Sequence, residues 1–152
     1  MNLSMSMKKW KMLTECCKAH RLNIIELYNL IPLNMATIEV LPQETTDDPY
    51  QTIVIKGEVD RDTIDSLRES MEKVLSTLQK KTLVLNLEHL EFINSEGIGY
   101  LTDIYNRLSG MDKKVVIVHA SDRIMDIFQL VGLNQIITCY ANEEEMKANL
   151  SQ

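Results

Sequence analysis

The residue in this sequence that is the best candidate for a chemical modification is a serine at the start of a predicted helix. It lies in Glu91-Phe92-Ile93-Asn94-Ser95-Glu96-Gly97-Ile98-Gly99, between an apolar run at residues 83–87 and a segment with apolar residues at helical spacing. Asn94 or Ser95 could cap the helix, since short polar side chains accept hydrogen bonds from the free N–H groups there. Ser95 could also accept a phosphate, which those N–H groups and the positive end of the helix dipole would tolerate. Spacing alone leaves both roles open.

Two glycines, Gly97 and Gly99, fall in the first turn of the same predicted helix. Glycine inside a helix costs roughly 0.5–1 kcal/mol relative to alanine. Their presence predicts that something approaches the backbone closely at this point.

The sequence does not favour an enzyme. There is no GxxxxGK[ST] phosphate loop, and Gly97-Ile98-Gly99 lacks the third glycine of a dinucleotide fingerprint. A pair of Ser95 with His89 or His119 would suit a hydrolase, but no GxSxG elbow surrounds the serine. No His and Cys spacing is typical of a metal site. We therefore expect no catalysis, no cofactor and no metal.

Composition indicates one ordinary globular domain of 152 residues, with 45% hydrophobic and 25% charged residues. Residues 1–34 hold five basic and two acidic residues, a net charge of +3, and the remainder holds 11 basic and 20 acidic residues, a net charge of −9. An acidic body argues against direct nucleic-acid binding. No stretch approaches the ~20 apolar residues that span a membrane. The three cysteines show no disulfide or CxxC pattern, so we expect a cytoplasmic protein with reduced thiols.

Residues 1–34 differ from the rest of the chain. Apolar residues recur there at roughly helical spacing, and Pro32 would end such a helix. The segment could be a helix that docks on this domain, on a second copy or on a partner, or it could be an accessory segment with no role in the chemistry. Alternatively, Met35 could be the true start and the upstream residues a translated leader.

From residue 35 to residue 152 the pattern predicts one α/β domain. The predicted order is strand, strand, helix, strand, helix, strand, helix, strand, helix, with the first two strands antiparallel through a polar turn between Pro42 and Pro49. Alternating strands and helices favour right-handed crossovers. We expect a mixed, mostly parallel sheet of four to five strands with about four helices, preceded by the N-terminal helical extension.

Several of these segments together resemble the STAS domain. They are Gly57 within residues 55–60, the strand at residues 83–87, the motif at residues 92–99 and the later Val131-Gly132-Leu133. The similarity covers about residues 36–150, and the subgroup that the chain most resembles is the bacterial anti-sigma factor antagonists. The sequence departs from that family at Asn94, where Asp is usual, and at Glu96, where Ser or Thr is usual.

The resemblance implies a switch by exchange of partners. In that family the unphosphorylated antagonist binds an anti-sigma factor that is also a serine kinase, and so frees the sigma factor. The kinase uses ATP to phosphorylate a serine that matches Ser95 here, the modified antagonist lets go, and a phosphatase resets it. The implied docking surface comprises Asn94, Ser95, Glu96, Gly97 and Gly99, with Lys56, Glu58 and Asp60 as further candidates. The alternative is a constitutive STAS interaction module, such as an assembly or transport-system subunit, in which Ser95 is only a cap.

Overall fold

A computed structural model describes residues 38–43 and 48–150. The predicted N-terminal extension, residues 1–34, lies outside the described residues, so its helical and leader interpretations both stay predictions. No helix in the described part of the chain is long and apolar enough to cross a membrane.

Apart from one added strand, the described elements follow the predicted order, and the mixed α/β fold is confirmed. They are β1 (Ile38–Gln43), β2 (Tyr50–Val59), α1 (Ile64–Thr77), β3 (Thr82–Asn86), β4 (Leu90–Ile93), α2 (Ser95–Gly110), β5 (Lys114–Val118), α3 (Asp122–Val131), a 3-10 turn (Leu133–Gln135), β6 (Thr138–Tyr140) and α4 (Glu143–Leu150).

Among the described residues the sheet has six strands, whereas the sequence predicted four to five. Its strand order is β1-β2-β3-β5-β6, with β1 antiparallel to β2 and the other pairs parallel. The additional strand, β4, occupies a stretch for which the sequence pattern predicted no strand. It pairs in parallel with the second half of β2, beyond the end of β3, so β3 and β4 lie one after the other along the same neighbour.

Gly57 is where β2 changes from one neighbour to the other. Its φ is +97°, a region that favours glycine, and the register between β2 and β4 shifts between Gly57 and Glu58. The Gly57 N–H also donates to the carbonyl of His89, 2.9 Å away, just before β4. This bulge therefore sets the position of β4 and of the helix that follows it.

The two faces of the sheet are covered unequally. Helices α1, α2 and α3 share a large buried cluster with one set of strand side chains, including Leu67, Ile104 and Phe128 of the helices. Alternate strand residues such as Val84 and Val116 form a smaller cluster with Met146 of α4. Side chains alternate between the faces of a strand, so the large cluster places α1 and α2 together on one face of the sheet.

Candidate functional site

The carboxyl ends of β2 and β4 hold the predicted phosphoacceptor segment. Val59 pairs with Ile93 in the last register of these strands, and the Asn94 N–H donates to the Val59 carbonyl at 2.9 Å. Helix α2 begins at the next residue, Ser95. The start of the helix is thereby attached to the edge of the sheet at which ligands and partners of α/β folds commonly bind.

Asn94 is the residue that caps α2. Its backbone is extended, with φ −93° and ψ 179°, and its side-chain Oδ1 accepts a hydrogen bond from the Gly97 N–H at 2.9 Å. Its carbonyl accepts from the Ile98 N–H at 3.1 Å, the first bond of the helix. Of the two caps that the sequence left open, the structure takes Asn94.

Ser95 is therefore the first residue of the helix, and its side chain is exposed. Within residues 38–43 and 48–150, its hydroxyl makes no hydrogen bond to another residue. The N–H groups of a helix's first turn lack partners within the helix, and the dipole is positive there, which also favours the neighbouring carboxylate of Glu96. A hydroxyl in this place can react without any part of the helix having to open.

Gly97 and Gly99 are glycines for different reasons. A Cβ built on Gly97 would lie 2.5 Å from Val59 Cγ1 and 2.7 Å from Ile93 Cγ1. The sequence predicted that something lies close to the backbone here, and at Gly97 it is these two core side chains of the same chain. Gly99 is exposed, and a Cβ there would have no neighbouring heavy atom within 4 Å. The internal packing accounts for Gly97 but not for Gly99.

The three candidates on β2 and its end lie at different depths along the strand. Asp60 is beside the start of α2, but its carboxylate accepts hydrogen bonds from the N–H groups of Asp62 at 2.9 Å and Thr63 at 3.0 Å, which stabilise the turn into α1. Glu58 is paired with Phe92 of β4, a phenylalanine that is 36% exposed. Lys56 lies before the bulge, opposite a residue of β1, and so further from Ser95.

The structure does not bring Ser95 together with either histidine of the hydrolase alternative. His89 precedes β4 and Ser95 follows it, so a four-residue strand of roughly 13 Å separates them. His119 follows β5, and the end of β5 is level with Val54 of β2. Ser95 follows β4, and the end of β4 is level with Val59 of β2. At ~3.3 Å per residue these levels differ by roughly 15 Å along the sheet. Among residues 38–43 and 48–150, no cluster of acidic, His and Cys side chains could hold a metal ion.

The sequence did not predict a groove that lies between α1 and α2, beside Ser95. On α2 it is lined by Glu96, Gly99, Tyr100 and Asp103, at the spacing of one helix face. That spacing was visible in the sequence, but nothing there indicated that α1 would lie alongside and complete the groove.

Comparison with known proteins decides the family. A sequence model of the STAS domain matches residues 42–146. The chain belongs to the STAS domain family. Among curated proteins, an anti-sigma-B factor antagonist of Staphylococcus aureus (strain NCTC 8325 / PS 47) is 29% identical over 98 residues, which is 62% of this chain and 87% of that protein.

Solved structures of anti-sigma factor antagonists share the fold. An anti-sigma factor antagonist from Mycobacterium paratuberculosis superposes with a TM-score of 0.65 and 23% identity, over 74% of this chain and 93% of its own. The anti-sigma factor antagonist SpoIIAA in its unphosphorylated form gives a TM-score of 0.59 and 19% identity, over 76% of this chain and 98% of its own. Bacillus SpoIIAA in the phosphorylated form gives 0.53 and 20% identity, over 74% and 98%. The predicted membership of the STAS family is thus confirmed.

Proposed function

We propose that this STAS protein is an anti-sigma factor antagonist controlled by phosphorylation of Ser95. In the unmodified state it binds an anti-sigma factor that is also a serine kinase, and so frees a sigma factor in the cytoplasm. Transfer of the γ-phosphate of ATP to the Ser95 hydroxyl, with loss of the hydroxyl proton and release of ADP, detaches it from that partner. A phosphatase then restores the serine.

The observation that carries this proposal is the exposed hydroxyl of Ser95 at a helix start that Asn94 already caps. The hydroxyl makes no hydrogen bond within the described residues, so a kinase can approach it while the fold stays intact. The relatives named anti-sigma-B factor antagonists, and a phosphorylated SpoIIAA of the same fold, support the same interpretation.

Phosphorylation would act on the docking surface rather than on the fold. A phosphoserine carries about −1.5 to −2 charges at pH 7. At the start of α2 the free N–H groups and the dipole tolerate those charges, while Glu96 is already an exposed carboxylate beside them. The kinase must place the negatively charged phosphates of its nucleotide near Ser95. Once Ser95 carries a phosphate, the two negative groups repel each other, and the complex weakens.

The departures from the family pattern leave this chemistry possible. Asn94 keeps the capping function of the usual Asp, since its Oδ1 makes the same kind of bond to the Gly97 N–H, but it offers no carboxylate to the kinase. Glu96 adds one permanent charge, which opposes a second negative group. Phosphorylation should therefore be tested directly on the wild-type chain.

The test uses the purified full chain and the purified anti-sigma factor kinase of the same organism. With ATP, we expect one phosphate on Ser95 by mass spectrometry, and none on Ser95→Ala. Without ATP, wild type and Ser95→Ala should both bind the kinase, and Ser95→Asp should bind at least about tenfold more weakly, a change of ~1.4 kcal/mol.

The matched control is Ser109→Asp, which adds the same charge to the same helix at its exposed far end. At 1.5 Å per residue that position is about 21 Å from Ser95, so binding should be unchanged. If Ser95→Asp binds as tightly as Ser109→Asp and no phosphate appears on Ser95, the phosphorylation switch is wrong. The constitutive interaction module then becomes the better account.

A further inference from the structure

The groove between α1 and α2 continues the surface on which Ser95 lies. It encloses about 790 Å³, and its lining begins at Glu96, the residue after Ser95. On the α1 side the lining residues are Arg61, Ile64, Asp65, Arg68 and Glu72; on the α2 side they are Glu96, Gly99, Tyr100 and Asp103. A protein docked over Ser95 therefore meets this groove directly.

Gly99 leaves the wall of the groove open. Glycine weakens a helix, and the space around its missing Cβ is empty, so neither propensity nor packing accounts for it. Gly97, two residues earlier, shows the contrast, because a Cβ there would strike the core. An exposed helical glycine in a groove lets another backbone come closer than any other residue would.

Tyr100 brings an unpartnered hydroxyl to the same groove. The residue is 6% exposed, and its buried hydroxyl has no hydrogen-bond partner among the described residues. The guanidinium of Arg68 lies 5.6 Å from the centre of the ring and is itself largely exposed, so it can move. A buried hydroxyl without a partner is unfavourable, and a hydrogen bond supplied from outside would correct that.

The charges of the groove favour a cationic occupant. Four of its lining residues carry carboxylates and two carry guanidinium groups. Glu72 is paired with Arg107, and Asp65 lies 3.9 Å from Arg68. Within residues 38–43 and 48–150, no ion pair engages Glu96, Asp103 or Arg61, although Asp103 also interacts electrostatically with Arg107. Glu96 and Asp103 flank Gly99 and Tyr100, so the α2 side of the groove is acidic and Arg61 lies on the α1 side.

We propose that the binding site for the anti-sigma factor extends from Ser95 into this groove. A segment of the partner that carries Lys or Arg crosses the helix at Gly99, lies between Glu96 and Asp103, and donates a hydrogen bond to the Tyr100 hydroxyl as Arg68 moves aside. This inference rests on the proposed function, because it needs that partner. Asp103 lies eight residues, about 12 Å, further along α2 than Ser95, so the basic contact is separate from the place where a phosphate acts.

The steric part is tested with two alanine substitutions in the same helix. Gly99→Ala and Gly110→Ala each add one methyl group at an exposed position with no neighbouring heavy atom within 4 Å, so neither should harm the free protein. We expect the Kd for the purified anti-sigma factor, measured by calorimetry, to rise about tenfold or more for Gly99→Ala and to stay within about twofold for Gly110→Ala. Equal Kd values for the two variants overturn the inference.

The chemical part uses Tyr100→Phe, which removes only the hydroxyl. Its melting temperature should equal or exceed that of wild type, and its Kd should rise roughly two- to tenfold. An unchanged Kd, or a lower melting temperature that shows the hydroxyl to be bonded in the free protein, overturns the role given to Tyr100. Asp103→Lys should also weaken binding, and a tighter complex would mean that the segment is not basic.

These results separate the inference from the proposed function. If wild type binds and Ser95→Asp does not, while Gly99→Ala binds like Gly110→Ala, the switch stands and the groove is not part of the interface. If wild type does not bind the anti-sigma factor at all, both fail.

Discussion

The substitution Gly97→Ala measures how firmly the start of α2 is fixed to the sheet. A Cβ at this position would lie 2.5 Å from Val59 Cγ1 and 2.7 Å from Ile93 Cγ1, where ordinary contacts begin at 3.4 Å. Val59 is 1% exposed and Ile93 is 3% exposed, so neither side chain can turn into solvent. Relief requires a shift of nearly an ångström in the helix start or in the two strand ends.

The magnitude follows from two opposing effects. An extra carbon in a well-packed core costs about 1–3 kcal/mol. Replacing glycine by alanine within a helix returns about 0.5–1 kcal/mol. We expect Gly97→Ala to lower the free energy of unfolding by up to about 2.5 kcal/mol, with a central value of about 1 kcal/mol, which for a domain of this size lowers the melting temperature by roughly 3–6 °C.

Urea unfolding followed by circular dichroism gives the assay, and Gly99→Ala gives the control. The same change two residues later meets empty space, so it should raise the free energy of unfolding by about 0.5–1 kcal/mol. Opposite signs for the same substitution at two positions in the first turn of α2 would confirm the packing argument. A Gly97→Ala protein as stable as Gly99→Ala would refute it, since the helix start would then not be held by Val59 and Ile93.

Two further predictions concern the cap and the half-buried thiol of Cys139. Asn94→Ala should lower the free energy of unfolding by about 1 kcal/mol, because the hydrogen bond from the Gly97 N–H is lost. Asn94→Asp keeps a capping oxygen and should not lower it. Equal losses of stability for the two variants in thermal melts would contradict the capping role. Burial raises the pKa of the Cys139 thiol from 9.0 to about 11. With Cys16 and Cys17 replaced by Ser, iodoacetamide at pH 8 should modify the folded chain about a hundredfold more slowly than the unfolded chain, and equal rates by mass spectrometry would contradict this. Because the folded pKa is the higher one, the associated stability is complete below pH 9 and is lost as the pH rises through about 11.

The sequence predicted the elements that have long and regular patterns. The run at residues 83–87 corresponds to the buried strand β3, and the helical spacing after the Ser95 motif corresponds to α2. Strand β4 was missed because four residues carry too little pattern. It becomes a strand through its neighbour, since the bulge at Gly57 turns the second half of β2 toward it.

The candidate site could be located from the sequence but not interpreted in detail. Asn94 and Ser95 are equally able to cap a helix, and only the extended backbone of Asn94 decides between them. Gly97 and Gly99 looked alike because the side chains that distinguish them, Val59 and Ile93, belong to strands and not to the motif. What sequence reasoning lacked in each case was the identity of the tertiary neighbour.

The position of Ser95 determines what kind of switch a phosphate can operate. Its hydroxyl takes part in no hydrogen bond within the described residues, and Asn94 caps the helix independently of it, so modification removes nothing that holds the fold. In the proposed switch the added charge then acts mainly on the partner docked there, which is the condition for a local event to change binding without refolding. Glu96 already supplies one exposed charge at this surface, so a partner that binds the unmodified chain tolerates that one. A phosphate adds up to two more charges, and a single carboxylate at position 95 should therefore weaken binding less than phosphorylation does.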